Sequence, residues 1–303
     1  MPRLSTLLVF ALLTCTTRQR DEAKAPKDSP QSQPSATTSL GAPVSLSTGG
    51  PLDEIPSLLV AFDSEAQAAS RQARAVAGTA KADSLFLTFR NRFLKMAEQI
   101  TDSLDQATSI QSDVLQDTST SRQLTSLLAK HGFVLEYTEG HAYTDEDFDY
   151  WGRLFDGALT RAMQRYITLR GTERAARFSE DAALQISWDE VAKRAVAWEQ
   201  FGDSYPDFSW KQASQFWYNT YLSTYLTGMD NSRVFSDSGT LEPEVRRSYE
   251  QSVTLYPRTR TAQLLAQYLS LLQGHGFRRS AALDSLLHTH HVAPMLGVQP
   301  PIR

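Results

Sequence analysis

Residues 80–117 read AKADSLFLTFRNRFLKMAEQITDSLDQATSIQSDVLQD, and their spacing decides the fold class. Phe86, Phe89, Phe93, Met96, Ile100, Ser103, Ala107, Ile110 and Val114 follow one another in steps of three and four. Those steps place them on one stripe of an α-helix. Lys81, Arg90, Lys95, Asp102 and Asp105 fall on the opposite face. The spacing predicts one long amphipathic helix over 80–117. Rings at the first three seam positions suit an intramolecular bundle better than a coiled-coil zipper, whose seam favours Leu, Ile and Val.

The flanking sequence agrees. No proline falls between Ser57 and Tyr205, and no strand-like alternation is sustained there. A second amphipathic helix is predicted over 145–170, with Phe148, Trp151, Phe155, Leu159, Ala162, Tyr166 and Leu169 inward. Shorter helices are predicted over 172–184, 188–201, 210–227, 242–255, 260–273 and 279–288. Thr144 with Asp147, Ser187 with Glu190 and Ser209 with Gln212 have the spacing of capping boxes or close variants. Gly132, Gly171, Gly228 and Gly274 fall where helices would end. Phe133–Tyr137 is the one extended-looking piece, and with no strand to pair with it reads as a connector. The expected class is all-α: a helical bundle with a long N-terminal amphipathic helix and a C-terminal part made of helix hairpins. Tyr249-x-x-Ser252 followed by Pro257 resembles the second-helix ending of a tetratricopeptide repeat, and the resemblance covers 242–288.

The body is expected to span 52–303 as one helical domain. Before it, residues 16–51 hold 16 Ser, Thr or Pro and no aromatic, too little apolar surface to offset the entropy of ordering. They read as a tether. The first fourteen residues have a charged start at Arg3 and an apolar run to Leu13, too short to span a bilayer but suited to a secretion signal. The run closes with Leu12-Leu13-Thr14-Cys15, and Cys15 is the only cysteine in 303 residues.

This ending resembles the lipobox of bacterial lipoproteins, with Thr14 where that family prefers Gly, Ala or Ser. The resemblance implies a signal peptide over 1–14, a diacylated Cys15 as the first mature residue, and a tether over 15–51. It further implies a lipid-held membrane protein at the outer membrane or cell surface, with a periplasm-facing position as the alternative. Arg20-Asp21-Glu22 resembles the basic-then-acidic tag of surface-exported lipoproteins.

Composition narrows the chemistry. A formal charge of −4 offers no electrostatic footprint for nucleic acid. One cysteine excludes an intramolecular disulfide and a thiolate zinc site. No Walker A, GxGxxG, HExxH or GxSxG pattern is present, so neither a cofactor nor a metal is expected, and an enzyme is the less favoured reading.

Twenty of the thirty aromatics lie between Phe133 and Tyr225. Trp217, Tyr221 and Tyr225 repeat at i, i+4 and i+8, so one helix face carries a ring ladder suited to a core or to a ligand groove. The loop after it carries Asp230 and Asn231. If a ligand binds, Trp217, Tyr221, Tyr225, Asp230 and Asn231 are the expected contacts. The stretch Glu139 to Asp149 gathers five carboxylates and His141, which could form an acid/base pair or simply suit a helix N-terminus. His288, His290 and His291 lack the i, i+4 spacing of a helical zinc pair.

These readings lead to a non-enzymatic binding or interaction module of the cell envelope, whose partners are the membrane and an envelope protein or glycan. Tethered, helical and aromatic-rich, it resembles in architecture the starch-binding lipoproteins that partner outer-membrane transporters. The alternatives are an envelope glycan-binding or glycan-hydrolysing protein using an aromatic groove and the 139–149 carboxylates, and a purely structural helical spacer.

Overall fold

The computed structural model describes residues 50–138 and 140–294. The expected signal peptide, Cys15, nearly all of the tether, and Glu139 lie outside the described residues. A 3₁₀ turn over Pro51–Glu54 leads into α1 (Ile55–Arg74) and then α2 (Ala80–Gln106). Thr79 starts α2 by accepting the Ala82 N–H at 3.4 Å. The expected stripe is buried at Phe86, Phe89, Phe93 and Ile100, Leu104 rather than Ser103 is buried at the next turn, and α1 lays Leu59, Phe62 and Ala66 against it. The rings of Phe62 and Phe89 stack at 5.1 Å. The helix is shorter than its spacing predicts. At Ala107 the backbone leaves helical geometry (φ −90°, ψ 75°), and α3 (Thr108–Leu115) follows as a separate helix.

After α4 (Ser119–Ala129) the chain departs from the all-helical expectation. Phe133–Tyr137 is no unpartnered connector, because β1 (Phe133–Thr138) pairs antiparallel with β2 (His141–Glu146). The two-residue turn uses Gly140 at φ +89°, a conformation that side chains resist. The hairpin lies on α2. Phe133 stacks on Phe93 at 4.2 Å, and Thr144 donates to the Ala97 carbonyl at 2.9 Å.

The hairpin displaces the predicted 145–170 helix. Asp145 and Glu146 belong to β2, and two helices follow, α5 (Phe148–Leu154) and α6 (Arg161–Ala175). Each has its own cap. Asp147 accepts the Asp149 and Tyr150 N–H groups at 2.9 and 3.1 Å, so the cap is Asp147 rather than Thr144. Thr160 caps α6 and is itself held by buried Asp83, which accepts its N–H at 3.0 Å and its hydroxyl at 2.7 Å. Gly171 lies inside α6 rather than at a helix end, because α5 crosses there. A Cβ at that position would sit 2.5 Å from Asp149 Oδ1.

The predicted 172–184 helix is also absent. Past α6, β3 (Ser179–Glu180) and β4 (Ala183–Leu184) pair around Asp181 and Ala182, both left-handed at φ +47° and +52°. A right-handed helix cannot run through that turn.

The remaining helices follow their predicted spans closely: α7 (Trp188–Ser204), α8 (Lys211–Thr227), α9 (Pro243–Leu255), α10 (Arg260–Gly274) and α11 (Ala281–Thr289). Ser187 caps α7 through the Glu190 N–H at 3.2 Å. Ser209 does not cap α8, whose N-cap position is Trp210 with no side-chain bond. Gly228 ends α8 at φ +80°, where a Cβ would approach the Ser232 carbonyl at 2.8 Å. Buried Glu199 of α7 receives the Arg260 N–H (2.5 Å), the Thr261 N–H (2.8 Å) and the Thr261 hydroxyl (2.6 Å), placing negative charge on the N-terminus of α10.

The described chain is mainly α-helical, with two short strand pairs. Among the described residues no helix is long and apolar enough to cross a membrane.

Candidate functional site

The ring ladder of α8 divides between core and cavity. Tyr225 is buried, and its hydroxyl lies 2.9 Å from both Ser248 and Ser252 of α9. Burial pushes its phenol up to about 12. One turn earlier Tyr221 is as fully buried as Tyr225, and together with half-buried Trp217 it borders a cavity of about 190 Å³. The hairpin contributes Glu136, Tyr143 and Asp145 to its wall, and α5 contributes Phe148. Arg170, Glu173 and Arg174 come from α6, Arg177 and Phe178 from the segment after it, and Arg194 from α7.

The structure thus brings two sequence candidates together, the aromatic face of α8 and Asp145 of the acidic stretch. Asp230 and Asn231 are elsewhere. Asp230 borders a separate cleft with Thr227, Met229 and Arg233. Asn231 fastens its loop to the β3–β4 turn, donating Nδ2 to the Asp181 carbonyl (2.6 Å) and its N–H to the Ala182 carbonyl (3.0 Å).

Arg170 organises the cavity. Its guanidinium lies 3.5 Å from the centre of the Trp217 ring and 5.2 Å from that of Phe148. Its Nη1 donates to Glu173 Oε2 at 2.7 Å, while its buried Nε has no acceptor. Burial works against the charge of Arg170, but Glu173 and the neighbouring tyrosines more than offset it, so the group is held above its ordinary range. Glu173 is fixed from the other side by Trp198 Nε1 at 2.5 Å. Trp217 Nε1 reaches the Tyr166 hydroxyl at 3.3 Å. Burial raises Tyr166 to about 12, and it raises Tyr221 as well.

Arg174 and Arg177 lie toward the opening, while Arg194 is buried. Arg174 pairs with Glu136 (2.9 Å) and Asp145 (3.4 Å). Arg177 reaches Glu180 (3.2 Å) and donates to the Tyr143 hydroxyl (3.2 Å). Arg194 donates to Glu190 (3.2 Å), the Ala176 carbonyl (2.7 Å) and the Tyr221 hydroxyl (3.4 Å). These arginines were not singled out in the sequence. Arg170, Arg174 and Arg177 did carry a signal, since they share a face in steps of four and three. Arg194 joins them only through tertiary packing.

The rest of the acidic stretch faces other tasks. Glu146 turns away and holds Arg90 in a buried bidentate pair, one arm at 2.8 Å. Asp147 caps α5, and His141 stands 3.6 Å from Asp105. His290 and His291 border a larger depression of about 540 Å³ between α8 and α10, whose lining includes the amides of Gln215, Asn219, Gln263 and Gln267. Among the described residues, no three His, Cys, Asp or Glu converge as a metal site would require.

The arginine cavity is the stronger candidate, because charge and rings from several elements meet in it. Its forks suit an oxyanion and its rings suit a flat apolar face. Each carboxylate in its wall already accepts from an arginine. No protein-family model matches the chain, and neither a curated protein nor a solved structure matches it.

Proposed function

We propose that the chain is a lipid-anchored binding module of a bacterial cell envelope, non-enzymatic, which takes its ligand in the cavity beside Trp217 and Tyr221. One observation carries the binding reading: four guanidiniums and several rings converge there while the wall carboxylates are held in ion pairs. Carboxylates so engaged suit holding a ligand better than exchanging protons with it. Anchorage through Cys15 at the outer membrane or cell surface rests on the Leu12–Cys15 ending and the tether. For the finer architecture, we read the packing over 242–288, α9 to α11, as helix hairpins similar to tetratricopeptide repeats. The rings of Tyr249 and Tyr268, which meet edge to face at 5.9 Å between α9 and α10, support it.

Two measurements test this function. Radiolabelled palmitate should mark the wild-type protein and not Cys15→Ala, which should leave the membrane fraction. The purified chain should capture an envelope glycan or protein from gently solubilised membranes, and Trp217→Ala should capture less. Capture unchanged by Trp217→Ala would remove the cavity from the function. No capture at all would remove the function.

A further inference from the structure

We infer that the depression between α8 and α10 is a second binding site, separate from the arginine cavity, for an uncharged glycan of two or more sugar units.

Helix geometry sets the walls. The hydroxyls of Tyr218 and Thr261 meet at 3.4 Å, and Tyr268 donates to the Leu226 carbonyl at 3.2 Å, so α8 and α10 run side by side in the same direction. Gln215 and Asn219 stand about one turn apart on α8, as do Gln263 and Gln267 on α10. At 1.5 Å per residue each pair spans about 6 Å. Buried Leu222 and Leu264 form the floor between them. The segment after α11 borders the depression, tied down where the Ser223 hydroxyl donates to the Ala293 carbonyl.

Charge excludes the ionic classes. In a chain of which 21% is charged, the only permanently charged side chain in this wall is Arg260, and Asp203 (3.0 Å) and Glu199 (3.6 Å) already engage it. A charged ligand would give up part of its hydration here and find no free countercharge.

The polar groups favour hydroxyls. A carboxamide both donates and accepts, as a hydroxyl does. Gln215 Nε2 donates to Asn219 Oδ1 at 2.8 Å, which orients the pair and leaves the Gln215 carbonyl and the Asn219 N–H groups to be matched. Gln263 and Gln267 are exposed, and their amides have no partner among the described residues. The two leucines and the half-buried Tyr218 ring supply apolar surface for the C–H face of a sugar. A ligand that meets both turns of amides is longer than one sugar ring, and about 540 Å³ lies within the roughly 300–1,000 Å³ of ligand pockets. A docked peptide uses a free backbone edge or pockets for its side chains, whereas α8 and α10 spend their backbone groups within their own helices.

Isothermal titration of the full-length chain with maltotriose, cellotriose and mannotriose tests the site. At least one should bind with a Kd of about 1 mM or tighter. Trigalacturonate, equally long but charged, should bind more weakly, and so should penta-alanine. Gln263→Ala and Gln267→Ala change exposed positions, so the melting temperature should hold. Each should weaken the bound sugar about threefold or more, the effect of losing one neutral hydrogen bond. Gln251→Ala, an exposed amide on α9 outside the depression, should change nothing. Sugar binding that survives the Gln263→Ala/Gln267→Ala double variant unchanged would overturn the site. Failure of all three sugars, or tighter binding of trigalacturonate or penta-alanine than of any sugar, would overturn the ligand class. Neither result touches the arginine cavity, whose own capture test turns on Trp217.

Discussion

Arg170 and Trp217 are stacked, guanidinium over indole at 3.5 Å, with the indole N–H tied at 3.3 Å to Tyr166. The contact joins α6 to α8 and forms the floor on which the cavity's other charges are arranged. Desolvated cation–π contacts of this kind contribute about 2 kcal/mol. Trp217→Leu should therefore lower unfolding free energy in urea by about 2 kcal/mol or more. Trp217→Phe keeps a ring under the guanidinium and should lose less. Equal losses from the two variants would show that the stack contributes little.

Arg90 and Glu146 test the buried core separately. Both side chains are almost wholly buried, and Arg90 also lies 4.7 Å from the Trp210 ring centre. Arg90→Met strands a carboxylate and should cost about 3–5 kcal/mol. The double variant Arg90→Met/Glu146→Leu leaves no stranded charge and should recover most of that loss. Strictly additive losses in the double-mutant cycle would refute the coupling.

Glu199 accepts from two backbone amides and one hydroxyl at the start of α10. Glu199→Ala leaves these donors without that acceptor and should cost about 2–4 kcal/mol. Hydrogen exchange should quicken first at Arg260 and Thr261. Glu199→Gln keeps one acceptor oxygen and should fall between wild type and Ala.

Alkaline pH should unfold the body cooperatively. Burial raises Tyr166 and Tyr225 to about 12, and it raises Tyr221, Tyr249 and Tyr268 as well. Folded values above the unfolded 10 mean that the fold favours the neutral phenol. That contribution is fully present below pH 10 and is lost as pH climbs toward the folded values. A rise from 10 to about 12 corresponds to about 3 kcal/mol per ring. Absorbance at 295 nm should show these rings ionising late, together with the loss of helical circular dichroism. Ionisation of all eleven tyrosines near pH 10 with helix retained would contradict their burial.

Gly171 sets helix propensity against close approach. Alanine is the better helix former by about 1 kcal/mol, yet its Cβ would meet Asp149 Oδ1 at 2.5 Å. Gly171→Ala should lose about 1–3 kcal/mol, because displacing α5 outweighs the propensity gain. Adding Asp149→Ala should restore most of it, as measured by thermal melting.

Much of the fold is legible in local pattern. The Phe86–Ile100 stripe, the Ser187 cap and the spans of α7 to α11 all follow from residues within a turn or two of one another. The hairpin was hidden for a physical reason. Strand pairing is decided across a turn, and the clue was Gly140 between two short runs rather than any periodicity. The 145–170 pattern misleads because Phe148, Trp151 and Phe155 and then Ala162, Tyr166 and Leu169 keep a helical spacing across a break made by two separate caps, Asp147 and Thr160.

The site divides the same way. The sequence by itself determines that Trp217, Tyr221 and Tyr225 share a helix face, because helical geometry leaves no other arrangement at that spacing. Only tertiary structure decides that Tyr225 closes into the core against Ser248 and Ser252, while Trp217 and Tyr221 meet arginines from α6 and α7. Burial and pairing of charge depend on which elements cross, and residues as far apart in the chain as Glu136 and Tyr221 become neighbours only when several helices and a hairpin pack at once.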